Sequence, residues 1–137
     1  MTLSDNPKDM TRKFYDSYNE QNLAASFERY VATDAQSHAM GGTYDRAAWL
    51  ETDSALFDAF TDFSMTILDQ IAEGDKVATR WMMNCTQQSE FFGVPSSGRT
   101  AVLTGTAFDL VRDGKIAEHW LDIDFTGFLQ QLATPQQ

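Results

Sequence analysis

Residues Leu110-Val111-Arg112-Asp113-Gly114-Lys115-Ile116-Ala117-Glu118-His119-Trp120-Leu121-Asp122 read as two strands folded back on Asp113-Gly114. An Asp-Gly pair between β-branched and aromatic residues is a strong hairpin signal, because both residues tolerate the backbone of a tight turn. Working upstream, Thr100 to Val111 completes one long strand, and Lys115 to about Asp124 the next. Glu73-Gly74-Asp75-Lys76 joins another such pair, Phe63 to Ala72 and Val77 to Gln88, and the Gly-, Pro- and Ser-rich loop Phe91 to Arg99 follows it. Strands of this length exceed the usual five or six residues, about 17–20 Å, and must coil.

The first half of the chain has the other periodicity. Ser4, Asp5 and Asn6 before Pro7 mark a helix start, and Met10, Phe14 and Tyr18 then recur every fourth residue on one face. Asn22 is placed to cap a second helix carrying Leu23, Phe27 and Tyr30. Val31 to Met40 reads as a short irregular strand ending at Gly41-Gly42. Asp45 is placed to cap a third helix with Trp49, Leu56, Phe57 and Phe60 on one face. Gly127 to Ala133 forms a last helical turn before a polar tail. Helices followed by an antiparallel meander define an α+β fold. The 137 residues suit one domain, 1–137, with the helices covering the concave side of the curved sheet. The space between them is the expected pocket for a small organic ligand.

The composition narrows the partners. Twenty Asp and Glu against ten Lys and Arg give a net charge of -10. Such a chain repels nucleic acid and anionic membrane surfaces, whose binding rests on basic residues. Cys85 is the single cysteine and His38 and His119 the only histidines, poor material for a zinc site. No apolar run of about 20 residues and no export signal is visible, so the expected compartment is the cytoplasm.

Four motifs in order then resemble the SnoaL-like polyketide cyclases of the nuclear transport factor 2-like superfamily. Ile71-Ala72-Glu73-Gly74-Asp75-Lys76-Val77-Ala78-Thr79-Arg80-Trp81 is similar to that family's central hairpin. Glu90 to Arg99 resembles its F-x-G-x-P-P-T-G-R segment, with Ser96-Ser97 in place of Pro-Thr. Asp113 to Trp120 resembles D-G-K-I-x-E-H-W, and Gly127 to Leu132 resembles G-L-L-Q-Q-L. The resemblance implies a cone-shaped curved sheet wrapped around the N-terminal helices, and ring closure without metal or cofactor. It implies an intramolecular aldol-type reaction on a polyketide-like or polycyclic molecule, with an Asp at the pocket end of the last strand, matched by Asp124, as acid/base. Other reactions of the same fold stay open: a lyase or isomerase, an epoxide hydrolase or hydratase, or a non-catalytic ligand-binding domain.

The residues themselves yield the candidate site. Asp122 and Asp124 alternate on one face of the last strand with Trp120. A carboxylate among aromatics is pushed towards neutral pH, where acid/base chemistry is efficient. A three-residue turn closed by a Gly bulge pairs Val111 with Lys115, Phe108 with Glu118, Thr106 with Trp120 and Thr104 with Asp122. That arrangement sends His119 to the convex side. His38, matching a histidine common in the family, is expected at the pocket mouth as orienter or donor. Phe14, Tyr18, Trp49, Phe60, Phe108 and Trp120, with Trp81 and Met83, form the expected lining for an apolar substrate, and Tyr18 is the best placed phenol. Arg80 is expected to pair with Asp109 or Glu118. Cys85 is expected to be inert, and Ser96 and Ser97 lie in no nucleophile motif. Ala117, Leu121 and Ile123 are expected on the convex face, joining copies into a homodimer or homotetramer.

Overall fold

The computed structural model describes residues 6–133. Ser4, Asp5 and the polar tail beyond Ala133 lie outside the described residues. Helix α1 (Pro7–Asp16) starts where Asn6 accepts the Asp9 N–H at 2.8 Å, and a 3-10 turn, Ser17–Glu20, follows it. Helix α2 (Leu23–Tyr30) is capped by Asn22, and α3 (Arg46–Ala59) by Asp45, which accepts the Ala48 N–H at 2.8 Å. Each cap satisfies an N–H that a helix start otherwise leaves without a partner. Helix α4 is Phe125–Ala133.

Six strands form one curved, unclosed sheet: β1 (Val31–Ala39), β2 (Gly42–Asp45), β3 (Phe60–Glu73), β4 (Lys76–Gln87), β5 (Thr100–Arg112) and β6 (Lys115–Ile123). Their order is β2-β1-β6-β5-β4-β3. All neighbours are antiparallel except β1 and β6, which run parallel. Strand β2 is additional to the sequence reading. Met40 and Gly41, with φ of 52° and 80°, turn the chain back so that Gly42 pairs with Ala39.

The β5–β6 hairpin corrects the expected register. Asp113 and Gly114 both have positive φ, 53° and 76°, and Arg112 faces Lys115 across a two-residue turn. Val111 pairs with Ile116, yet Leu110 pairs with Glu118, so Ala117 is an extra, bulged residue. Beyond it Asp109 faces His119, Phe108 faces Trp120, and Thr106 faces Asp122. Phe108 therefore does not face Glu118, nor Thr106 Trp120.

The bulge also decides the faces. Ile116 and His119 are both buried inside, although strict alternation would put them on opposite sides. Val77, Asp109 and His119 form one inward row; Thr79, Ala107 and Leu121 the next; Trp81, Gly105 and Ile123 the third. Leu121 and Ile123, expected on the convex face, thus point into the concave side. Phe108, 51% exposed, and the exposed Asp122 lie outside. The physical reason is the usual one: two aliphatic side chains take the dry side, and an unpaired carboxylate stays in water.

Phe14 is fully buried, with Tyr15, Tyr18, Phe27, Tyr30 and Trp49 around it at ring distances of 5.2 to 6.3 Å. Phe60 packs against Phe91 and Phe128. The loop between β4 and β5 is organised by buried Gln87, whose amide donates to Ser89 O and Val94 O and accepts from the Ser97 hydroxyl. Arg99 then donates to the Leu132 carbonyl, tying the loop to the end of α4.

Candidate active site

A cavity of about 110 Å³ lies between the helices and the concave face of the sheet. Most of its wall is apolar: Leu56, Met65, Trp81, Met83, Leu103, Leu121 and Ile123. Met40 and Phe92, at 59% and 66% exposed, stand at its rim. Tyr15, Tyr18, Asp53 and His119 supply polar groups.

The first polar cluster grows from the β5–β6 ladder. Because Asp109 and His119 are direct cross-strand neighbours, their side chains share the inner face. Asp109 Oδ1 lies 2.6 Å from His119 Nδ1, and its Oδ2 accepts the Tyr15 hydroxyl at 2.5 Å. Asp109 is fully buried and His119 3% exposed. In the tautomer whose Nδ1–H donates to Asp109, Nε2 carries the ring's lone pair. Nε2 has no hydrogen-bond partner among the described residues.

The second cluster grows from α3, where Trp49 and Asp53 are one turn apart and share a face. Asp53 Oδ2 accepts the Trp49 indole N–H at 3.2 Å and the Tyr18 hydroxyl at 2.6 Å. The Trp49 ring also stacks on His119, with centroids 4.5 Å apart and planes within 16°, so it joins the two clusters. Burial raises the Asp53 carboxyl above its ordinary value, and the Tyr18 and Trp49 hydrogen bonds hold it back in part. Burial, then the neighbouring carboxylates Asp109 and Asp53, push the Tyr15 and Tyr18 phenols well above their usual value of 10.0, so both stay neutral donors.

Of the residues singled out in the sequence, Tyr18, Trp49, Trp81 and Met83 line this cavity, and so does His119, which was expected on the convex side. Phe14 and Phe60 are core residues and are not on its wall. Asp124 is exposed at the start of α4, where its Oδ1 accepts the Gly127 N–H at 3.0 Å. His38, Trp120, Phe108 and Asp122 gather on the outer face. There His38 Nε2 lies 2.6 Å from Glu118 Oε2, its Nδ1 3.0 Å from the Thr43 hydroxyl, and its ring stacks on Trp120. Arg80 is also outside, in a two-point bond with Asp69 at 2.8 and 2.7 Å, so it pairs with neither Asp109 nor Glu118. Cys85 is buried, and burial pushes its thiol up to about 11. Asp53, and Asp109 as the partner of His119, were not singled out. The Trp49–Asp53 spacing was the readable clue, whereas the His119–Asp109 pairing depends on the bulge at Ala117.

Among the described residues, no group of three His, Cys, Asp or Glu is arranged to hold a metal ion, and no helix is long and apolar enough to cross a membrane. A curved open sheet wrapped around helices is the architecture of the nuclear transport factor 2-like α+β domains. Residues 8–132 match the SnoaL-like polyketide cyclase family, and the chain belongs to it. Among solved structures, it is similar to IdmH of Streptomyces antibioticus, a proposed polyketide cyclase, with 32% identity over 95% of this chain and 100% of that one and a TM-score of 0.84. AclR of Streptomyces galilaeus, a proposed hydroxylase, is 24% identical over 95% of this chain and 87% of that one, with a TM-score of 0.85. A proposed SnoaL-like polyketide cyclase of Jannaschia sp. CCS1 is 15% identical over 99% of this chain and 97% of that one, also at 0.85. No curated protein sequence matches the chain.

Proposed function

We propose that the chain is a cofactor-independent cyclase that closes a ring in a polyketide-like or polycyclic small molecule, with His119 as the acid/base group. The observation that carries this reading is the His119 imidazole, held through Nδ1 by buried Asp109 with Nε2 unpartnered in an apolar cavity. In the reaction, Nε2 takes a proton from a carbon between two carbonyls, leaving an enolate. The enolate carbon attacks a second carbonyl of the same molecule; a carbon–carbon bond forms and that carbonyl becomes an alkoxide. The imidazolium returns the proton to the alkoxide, so no other reactant is consumed. Asp109 stabilises the imidazolium and fixes the tautomer. Asp53, its carboxyl raised by burial, accepts from Tyr18 and Trp49 beside this centre and holds both side chains in place.

The base is assigned to His119 and not to Asp124, because Asp124 is exposed and its Oδ1 is committed to the α4 cap. The epoxide-hydrolase alternative, which calls for an arginine between two aspartates, finds no support in an Arg80 that is exposed and bonded to Asp69 alone.

The test is exchange of the activated C–H of β-tetralone in heavy water, followed by proton NMR. The wild-type protein is expected to accelerate it, and His119→Gln to lose about 10²–10⁴-fold of that acceleration, the typical worth of a positioned base. Exchange by His119→Gln at the wild-type rate would overturn the assignment.

A further inference from the structure

Two buried side-chain polar atoms among the described residues have no hydrogen-bond partner: Gln70 Oε1 and Trp81 Nε1. They differ in setting. The Gln70 amide is anchored through Nε2 to the Thr11 and Thr79 hydroxyls, and the residue is not on the cavity wall. Trp81 lines the cavity and is 3% exposed, and an indole offers one donor and nothing else. Its neighbours cannot serve it. The ladder partners of Trp81 are Ile67 on β3 and Gly105 on β5, and Gly105 in turn faces Ile123 on β6; none has a side-chain acceptor.

The sequence makes room for this indole. A Cβ at position 105 would fall 2.4 Å from Trp81 Cζ2 and 2.9 Å from Ile123 Cγ2, so only glycine admits the ring across β5. A bulky donor seated this way, in a wall otherwise lined by Met83, Leu103 and Ile123, finds no acceptor within the protein, and a slight turn of the ring brings it to the cavity.

We propose that Trp81 Nε1 is a specificity-determining donor that binds a carbonyl or phenol oxygen of the ligand. This rests on reading the cavity as the substrate site. The Trp81–Gly105–Ile123 row lies four residues along β6 from His119, roughly 13 Å of strand. The ligand is therefore elongated, with its reacting carbon at the His119 end and an oxygen acceptor at the Trp81 end. An apolar hydrocarbon skeleton lies between, against Leu121 and Met83. Uniformly apolar molecules of the same shape are discriminated against, because they leave the indole N–H unsatisfied.

The test compares α-tetralone with tetralin, which differ by the ketone oxygen alone, on the full-length wild-type protein. The same pair is measured on a variant carrying benzothienylalanine at position 81, which keeps the bicyclic shape and removes the N–H. The preference for α-tetralone over tetralin is expected to fall about fivefold in the variant, the ordinary worth of one hydrogen bond. In nitrogen–proton correlation NMR, the Trp81 indole proton of the wild type is expected to move downfield with α-tetralone and not with tetralin. An unchanged preference, a stationary indole resonance, or no binding of α-tetralone at all would overturn the inference. These are binding readouts, so they fail separately from the β-tetralone exchange assay. A variant that loses ketone preference beside a His119→Gln that still exchanges would keep this inference and sink the acid/base one.

Discussion

His119 Nδ1 and Asp109 Oδ1 meet at 2.6 Å across a single rung of the β5–β6 ladder, with the Trp49 ring laid against the imidazole. Asp109→Asn keeps the shape but offers an amide that can donate to Nδ1, moving the imidazole proton to Nε2 and removing the base. Exchange of β-tetralone should drop by about 10²–10⁴-fold, and the His119 ring nitrogens should report the other tautomer by NMR. Asp109→Ala removes the shared acceptor of His119 and Tyr15 and should lower stability by about 1–3 kcal/mol for each buried donor left unsatisfied, read by urea titration. Wild-type exchange in the Asn variant would dissociate Asp109 from the chemistry.

Asp124 has a different task. Its carboxylate accepts the Gly127 N–H, and a Cβ at position 127 would fall 2.2 Å from Asp124 Oδ2, so the two residues form a closed cap. Asp124→Ala should cost about 1 kcal/mol of stability, the usual worth of a helix N-cap, and leave the exchange rate unchanged. Asp124→Asn retains a capping oxygen and should change neither. A loss of exchange without a loss of stability would return the acid/base role to Asp124.

Burial holds the Asp53 carboxyl above its ordinary value of 3.8. The folded chain therefore keeps this proton at pH values where the unfolded chain has released it, and Asp53 makes stability fall as pH rises through that window. Asp53→Asn removes the titration while leaving acceptors for Tyr18 and Trp49. The stability of the Asn variant relative to wild type should grow as pH climbs from about 4, and level off once the folded carboxyl has ionised. Urea midpoints across that range measure it, and a difference that shrinks with pH would contradict the raised carboxyl.

Gly105→Ala places a methyl group inside the van der Waals envelope of Trp81. The indole must move, either straining β4 or entering the cavity. A loss of about 1–3 kcal/mol is expected, the typical cost of overpacking, together with a shifted Trp fluorescence maximum. Thermal melts and emission spectra matching wild type would mean that the ring lies elsewhere.

How much of this was legible without coordinates depends on the range of the signal. The caps at Asn6, Asn22 and Asp45 and the turns at Gly74-Asp75 and Asp113-Gly114 are local chemistry, and each falls where the sequence pointed. Strand β2 and the parallel β1–β6 pairing are not local. No turn joins β1 to β6, so nothing near Val31 announces a partner at Ile116. The inner and outer faces of β6 were misjudged because both are mixed: Trp120 accompanies two acids on one, and His119 accompanies two aliphatic residues on the other. The α3 pair Trp49 and Asp53 was open to reading from its helical spacing, and Asp124 ahead of Phe125 was open to reading as a cap. The resemblance drew attention to the strand end instead.

Ala117 is one residue, yet it works like a shift of reading frame within β6. The segment before it and the segment after it choose their faces separately, so spacing from the turn, and not the letters Glu-His-Trp alone, decides what the cavity receives. Two chains that share those letters but differ by one residue between turn and histidine would line the same cleft with opposite chemistry. An alignment that closes such a gap for the sake of identity would erase the difference between an imidazole aimed at substrate and one aimed at water.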